Sequence, residues 1–467
     1  MPYRIPGPGP RILFTLILYC FAAVPALAGA AALPLAPEPA SPGAEHTSAA
    51  GEALLAAKTL LAQGRLEEAE QIYTALRQAP TEEYRLEAAF QLGQICLLQG
   101  KFRQAISLFL EILNQRPDLP RVRLELARAY FLDQNYPDAA FQFELVKGGD
   151  LPPEVLAKVD GFLDAIRRQK NWTINFSFSP VSDSNLNQAS GSKEECIDFG
   201  GIPLCRDLAQ KASGLGLSAN ATVDYFWRFH QDWGLKATLG FYGTLYEQNE
   251  FDDYSLYAAL GPRYLWESGE ASLQPTLRKR WAGGRQYSED YGLRLDARQV
   301  YRRLLLNGGA AVSFPRYNEP YVHSVLKGMS WNAYVQPRYI LTDRTFIQPG
   351  LSFLREETEE RAYANDNWRY ALGVYQALPY GVSLFVEGSL MDTRYQDSQW
   401  YVTREGTISE TIREDKTWQV FSSLSSNVLE RYNLTPVLQY TYTKRDSNIW
   451  TREYERHRVN LLFNYKM

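Results

Sequence analysis

Long apolar runs are scarce in this chain of 467 residues. After residues 12–24 no stretch approaches the roughly 20 apolar residues that a membrane-crossing helix needs. A transmembrane β-barrel stays open, because its strands alternate apolar and polar positions and leave the mean hydropathy low; here it is -0.34. Charge of one sign is also missing. With 49 Lys and Arg against 53 Asp and Glu, the net charge is -4, and no basic footprint points to nucleic acid. The four histidines, His46, His230, His323 and His457, are scattered, and none pairs at i,i+4. There is no Gly-x-x-x-x-Gly-Lys-Ser/Thr phosphate loop and no Gly-x-Ser-x-Gly nucleophile elbow. Neither an enzyme nor a resident cofactor or metal is expected.

Aromatic residues are plentiful: 30 Tyr, 22 Phe and 10 Trp, a load suited to the two interfacial girdles of a membrane barrel. The chain opens as a secretory protein would. Arg4 and Arg11 precede the apolar run, and Ala26-Leu27-Ala28 gives a small-x-small cleavage site, so residues 1–30 are expected to be a signal peptide that takes Cys20 with it. Residues 31–51, rich in Ala and Pro, are expected to be a disordered spacer.

Residues 52–170 carry a repeat. Gly64-Arg-Leu-Glu-Glu-Ala69, Gly100-Lys-Phe-Arg-Gln-Ala105 and Asn135-Tyr-Pro-Asp-Ala-Ala140 align, with a helix-closing residue first and a small residue five places on. Pro80 and Pro117 end the first two units. The spacing is close to the 34 residues of tetratricopeptide repeats, which this module resembles; Leu92-Gly93 and Phe109 add to the likeness. Arg128 departs from it, standing near the small-residue position of the third unit. A helix over 153–168 would cap the stack. The resemblance places Glu87, Phe90, Gln94 and Leu97 beside a concave groove that would hold a polypeptide. Cys96 reads as a small core residue.

From residue 171 to 467 the apolar period changes to two, and about fourteen strands are expected. In the first, Trp172, Ile174, Phe176 and Phe178 share one face and Thr173, Asn175 and Ser177 the other. In the third, Leu235, Ala237, Leu239, Phe241 and Leu245 oppose Lys236, Thr238, Tyr242 and Thr244. The last puts Val459, Leu461, Phe463 and Tyr465 outward. Connections alternate in length. Short ones are expected at 230–232, 268–269, 307–308, 342–344, 379–381 and 430–432, and longer ones at 181–211, 248–252, 283–286, 316–330, 357–366, 396–415 and 445–449. Short turns on one side and loops on the other describe an outer-membrane barrel with its helical module in the periplasm. Such a protein implies outer-membrane lipid, periplasmic chaperones and the barrel assembly machinery as partners.

Cys196 and Cys205, nine residues apart in the first long loop, are expected to form a disulfide in an oxidising compartment. Asp183-Ser-Asn185-Leu-Asn187 lacks the glycine and terminal glutamate of a calcium loop and suits an Asx turn at a strand exit. Pro262, Pro275, Pro337, Pro349 and Pro436 fall within strands on the outward face. They mark either tolerated local breaks or strand pairs held weakly enough to part.

The order of signal, tetratricopeptide repeats and a barrel opening on Asn171-Trp172, then Asp183-Ser-Asn-Leu-Asn187, resembles the surface lipoprotein assembly modulators (Slam proteins) of Gram-negative bacteria. The likeness covers essentially the whole mature chain and is strongest over residues 172–187. It implies an α-solenoid followed by an antiparallel transmembrane barrel. It further implies an outer-membrane translocator that recognises client surface lipoproteins or secreted haemophore-like proteins in the periplasm and delivers them outside. A passive pore with a protein-binding module is the other reading. Without a nucleotide site, transport would draw on client binding and on client folding outside the cell.

Overall fold

The computed structural model describes residues 43–149, 151–169, 171–198, 203–429 and 434–466. The expected signal peptide and the first part of the spacer lie outside these residues. Seven helices come first: α1 (Gly43–Ala62), α2 (Leu66–Leu76), α3 (Glu82–Leu98), α4 (Phe102–Gln115), α5 (Pro120–Leu132), α6 (Tyr136–Val146) and α7 (Pro153–Gln169). Helix α1 begins inside the stretch read as spacer.

The helices close as their sequence demands. Gly64 and Gly100 sit at φ 78° and 73°, in left-handed backbone that only glycine adopts freely. At the end of α3 the Gly100 N–H donates to Leu97 O and the Lys101 N–H to Cys96 O, which satisfies carbonyls the helix leaves open. The third repeat is shifted by one residue from the expected alignment. Gln134, not Asn135, takes the left-handed position, at φ 61°. Asn135 instead caps α6, its side chain accepting from the Asp138 N–H. The equivalent small residues are therefore Ala69, Ala105 and Ala139, all fully buried. Between α3 and α4, a Cβ on Gly93 would lie 2.5 Å from the Phe109 ring. Glycine there admits Phe109, which is fully buried against Phe90 with ring centroids 5.8 Å apart. Cys96 is free and buried, and that burial raises its thiol pKa above the usual value.

The remaining chain forms a closed barrel of fourteen antiparallel strands, each beside its sequence neighbour, with the first paired to the last. The strands are β1 (Trp172–Asp183), β4 (Gly214–Arg228), β5 (Trp233–Tyr246), β6 (Asp253–Trp266), β7 (Gly269–Ala282), β8 (Arg285–Tyr301), β9 (Leu304–Tyr317), β10 (Gly328–Thr342), β11 (Thr345–Thr358), β12 (Asn365–Ala377), β13 (Val382–Val402), β14 (Ile408–Ser426), β15 (Leu434–Ser447) and β16 (Tyr454–Lys466). A separate hairpin, β2 (Glu194–Asp198) and β3 (Pro203–Asp207), rises from the first loop. A short helix, α8 (Pro320–Leu326), lies in the β9–β10 loop.

Side chains alternate as expected. Leu239 is 62% and Leu260 57% exposed on the outer wall, an apolar belt whose natural surroundings are acyl chains. Trp172 lies on Tyr225, and Trp233 on Tyr264, at the turn end of that belt.

Three expectations about connections are corrected. The Asn307–Gly308 turn does not form: β8 turns at Arg302–Arg303, with Arg302 at φ 46°. Asn307 pairs with Arg298 and Gln336 inside β9. Asparagine-glycine favours turns, but a Cβ on the next residue, Gly309, would lie 2.7 Å from the Tyr334 ring. Gly309 makes room for a lumenal tyrosine. Residues 283–284, expected within a longer loop, form a two-glycine turn at φ 57° and 73°. Residues 396–402 and 408–415, expected as loop, extend the β13–β14 hairpin.

Four of the five prolines mark gaps in the ladder. Pairing of β6 with β7 stops at Ala259↔Thr276 and resumes at Arg263↔Ser272, bracketing Pro262 and Pro275. Pairing of β10 with β11 stops at Val335↔Leu351 and resumes at Tyr339↔Ile347, bracketing Pro337 and Pro349. Pairing continues through Pro436. A further gap lies at Pro180, between Phe178↔Phe463 and Val181↔Asn460 on the closing β1–β16 pair.

Candidate functional site

The helical module lies against the turn end of the barrel and grips its rim turn by turn. Arg168 of α7 donates to Gln231 O and pairs with Asp232 at 3.3 Å. Arg167 donates to Glu267 O. Arg303 donates to Gly149 O at 3.3 Å, and Asn427 donates to Asn114 at 3.0 Å. Arg123 of α5 is 4% exposed; it donates to Pro117 O and Gln142 and lies 3.6 Å from Asp343 in the β10–β11 turn. Burial lowers its pKa, and Asp343 works against that shift. Gly148 makes the closest approach: its Cβ would lie 2.4 Å from Thr342 C and O.

Helix α6 enters the mouth. Leu145 packs with Leu305, Ile340 and Phe346 of the inner wall, and burying such a side chain contributes about 1.5–3 kcal/mol. Phe141 meets Tyr375 edge-on at 5.6 Å. Glu144, 5% exposed, bonds Arg298 and pairs with Arg338 at 3.6 Å. The module thus reaches into the barrel as well as hanging beneath it. A cavity of about 190 Å³ remains between α4–α6 and the turns, lined in part by Arg123, Phe141 and Tyr375.

The inner wall at this depth carries an arginine from every second strand: Arg228 of β4, Arg263 of β6, Arg298 of β8 and Arg338 of β10. Arg228 and Arg263 both lie over the Phe226 ring, and Arg338 lies over Phe346. Arg263 is paired with Glu270. This collar escaped the reading of the sequence. Its signal was there, as arginines near 35-residue spacing on inward positions just before short turns.

The residues singled out from the sequence are spread apart. Phe90 and Leu97 are 5% and 8% exposed and belong to the core of the helical module, so a ligand in its groove does not touch them in this arrangement. Glu87 is partly exposed and pairs with Lys58 at 3.0 Å. Burial opposes ionisation there, but hydrogen bonds from Gln91 and Lys58 hold its carboxyl below the usual range. Gln94 is half-buried. A hollow of about 400 Å³ lies between α4, α5 and the β14–β15 turn, with Ile106, Leu110 and Tyr130 inside and Arg103, Asp133 and Val428 among its other lining residues. At the far end of the barrel, Cys196 and Cys205 are disulfide-bonded across β2 and β3, and that hairpin reaches the β13–β14 loop through Asp198 N–H to Gly406 O.

Asp183 and Asn185 fasten the closing strands. Asp183 accepts from the Asn185 N–H at 3.0 Å, forming an Asx turn. It also takes a two-oxygen contact from Arg456 of β16 at 2.9 Å. Asn185, fully buried, donates to Glu455 O, and the Ser184 N–H donates to His457 O. Below them lies a lumenal cavity of about 610 Å³, lined in part by Tyr242, Tyr246, Arg456 and Arg458.

Comparison with known proteins gives one consistent family. Residues 172–466 match the model described as surface lipoprotein assembly modifier, and residues 45–143 match its N-terminal TPR repeats. A surface lipoprotein assembly modifier of Pasteurella multocida is 23% identical over 78% of this chain and 74% of its own. Surface lipoprotein assembly modifier 1 of Neisseria meningitidis is 24% identical over 81% and 75%. The hemophilin secretion modulator of Acinetobacter baumannii is 22% identical over 81% and 78%. Among solved structures, the outer-membrane channel DcaP of Acinetobacter baumannii overlaps 64% of this chain and 98% of its own, at 10% identity and a TM-score of 0.35, a superposition too loose to bear on function.

Proposed function

The chain belongs to the surface lipoprotein assembly modifier family, and from that premise we propose that it receives particular client proteins in the periplasm and passes them to the cell surface. It is an outer-membrane barrel protein, with its tetratricopeptide-like module on the periplasmic side. The clients are surface lipoproteins, or secreted proteins such as the hemophilin named for the Acinetobacter relative. The observation that carries this reading is the helical module's position at the periplasmic mouth, with α6 inside it. A client held by the module is delivered to the barrel entrance at a raised local concentration, and its folding outside the cell makes the passage irreversible. The exposed parts of the module, including Glu87, Gln94 and the hollow beside Ile106 and Leu110, make up the client surface. A passive pore needs no such module across its entrance. The chain itself reaches the membrane through periplasmic chaperones and the barrel assembly machinery, and its outer belt meets lipid.

The test is surface display of a candidate client lipoprotein co-expressed with this chain, scored by digestion with an external protease. Deleting residues 52–168 abolishes display while the barrel still inserts, as judged by heat-modifiable gel mobility. Unchanged display after that deletion removes the docking role.

A further inference from the structure

We propose that the arginine collar at the periplasmic mouth is a binding site for an acidic segment of the transported polypeptide, and that Glu144 occupies it in the resting protein. The site is built from Arg228, Arg263, Arg298 and Arg338, which reach the lumen from alternate strands just before their turns. Four cationic side chains there meet two carboxylates, Glu270 on Arg263 and Glu144 on Arg298 and Arg338. The surplus is two positive charges. The buried Nε and Nη2 of Arg228 and Nε of Arg298 have no hydrogen-bond acceptor, so the collar has donors to spare for further carboxylate oxygens. Three of its members are already fixed by aromatic faces: Arg228 and Arg263 on Phe226, and Arg338 on Phe346. Guanidinium groups held this way keep their forks ready for a carboxylate.

Glu144 shows what the collar accepts. It arrives on α6, from a domain 154 residues away in sequence, and its carboxylate bridges two strands of the wall. Its contacts are those an acidic side chain of another polypeptide would make. An incoming acidic segment competes for the same nitrogens and draws α6 out of the mouth, so loading and opening become one event. This deepens the translocation reading and depends on it only for the origin of the segment; binding is measured without transport, so the two fail separately.

The experiment uses the full chain in detergent and fluorescein-labelled hexaglutamate, read by anisotropy, with heat-modifiable mobility confirming each barrel. Glu144→Gln binds the peptide about tenfold more tightly than the parent, because the resident competitor is weakened. Arg298→Gln with Arg338→Gln lowers binding about tenfold or more, and hexalysine does not bind. On the parent chain, excess hexaglutamate speeds amide exchange across residues 141–146, a measurement that needs no variant to fold. Equal affinity in all three proteins, binding of hexalysine as strong as that of hexaglutamate, or unchanged exchange in α6 overturns the proposal.

Discussion

The helical module has two kinds of contact, and they are built differently. Between its own helices it buries apolar side chains continuously: Phe109, Ile112, Leu126, Phe143 and Val146 are all at 0–1% exposure. Against the barrel it offers one small apolar cluster around Leu145, ringed by arginine pairs and single hydrogen bonds to turns. Apolar packing offers no ready substitute partner, whereas a carboxylate on an arginine can be exchanged for another carboxylate. The first surface is suited to hold a shape and the second to be released. The docked state also depends on fit, since Gly148 meets the Thr342 backbone with no room for a side chain.

Three substitutions separate these two surfaces. Phe109→Ala empties the middle of the helical core and destabilises the module by about 3–5 kcal/mol. Rapid proteolysis within residues 52–168, beside an unchanged heat-modifiable barrel, would be the readout; a module as resistant as the parent would contradict the division. Gly148→Ala leaves the helical core intact and strains the docked state by roughly 1–3 kcal/mol. Faster amide exchange at residues 340–345, without loss of helical circular dichroism, is the expected result. The smallest effect belongs to Arg77, which pairs with Glu111 on the module's exposed surface. Arg77→Ala changes stability by no more than about 0.2–1 kcal/mol, so a chemical-denaturation midpoint close to the parent's is expected. A large loss there would mean that polar surface contacts hold the module as firmly as its core.

The fold was legible where a single period governs. Alternation in β1 and β5 gave the outward faces, and the repeats gave the helix pairs. What failed did so for reasons outside local sequence. Asn307-Gly308 has the composition of a turn, yet the strand runs on through it, and Gly309 beyond it makes room for Tyr334 on the neighbouring strand. Gln134 carries no preference for left-handed backbone, but Asn135 is needed as the cap of α6. Phe90 and Leu97 stand at positions a repeat alignment assigns to a groove, and here Phe90 packs on Phe109 while Arg121 covers its ring at 5.0 Å. The mouth was the least legible region. Glu144 reads as an ordinary helical glutamate until the chain brings Arg298 to it.

The fastening at Asp183 bears on how the barrel is made. Its carboxylate is 1% exposed, and its counter-charge, Arg456, stands 273 residues later in the chain. A contact that distant carries the loop-closure cost of all the intervening chain. Until β16 arrives, the Asp183 carboxylate keeps its water, since an ionised carboxylate is not buried without a partner. A barrel missing its final strand therefore leaves Asp183 without its guanidinium partner, and the completed one supplies it. The pair acts as a chemical latch on closure: its contact is available only to the chain that has reached its end strand.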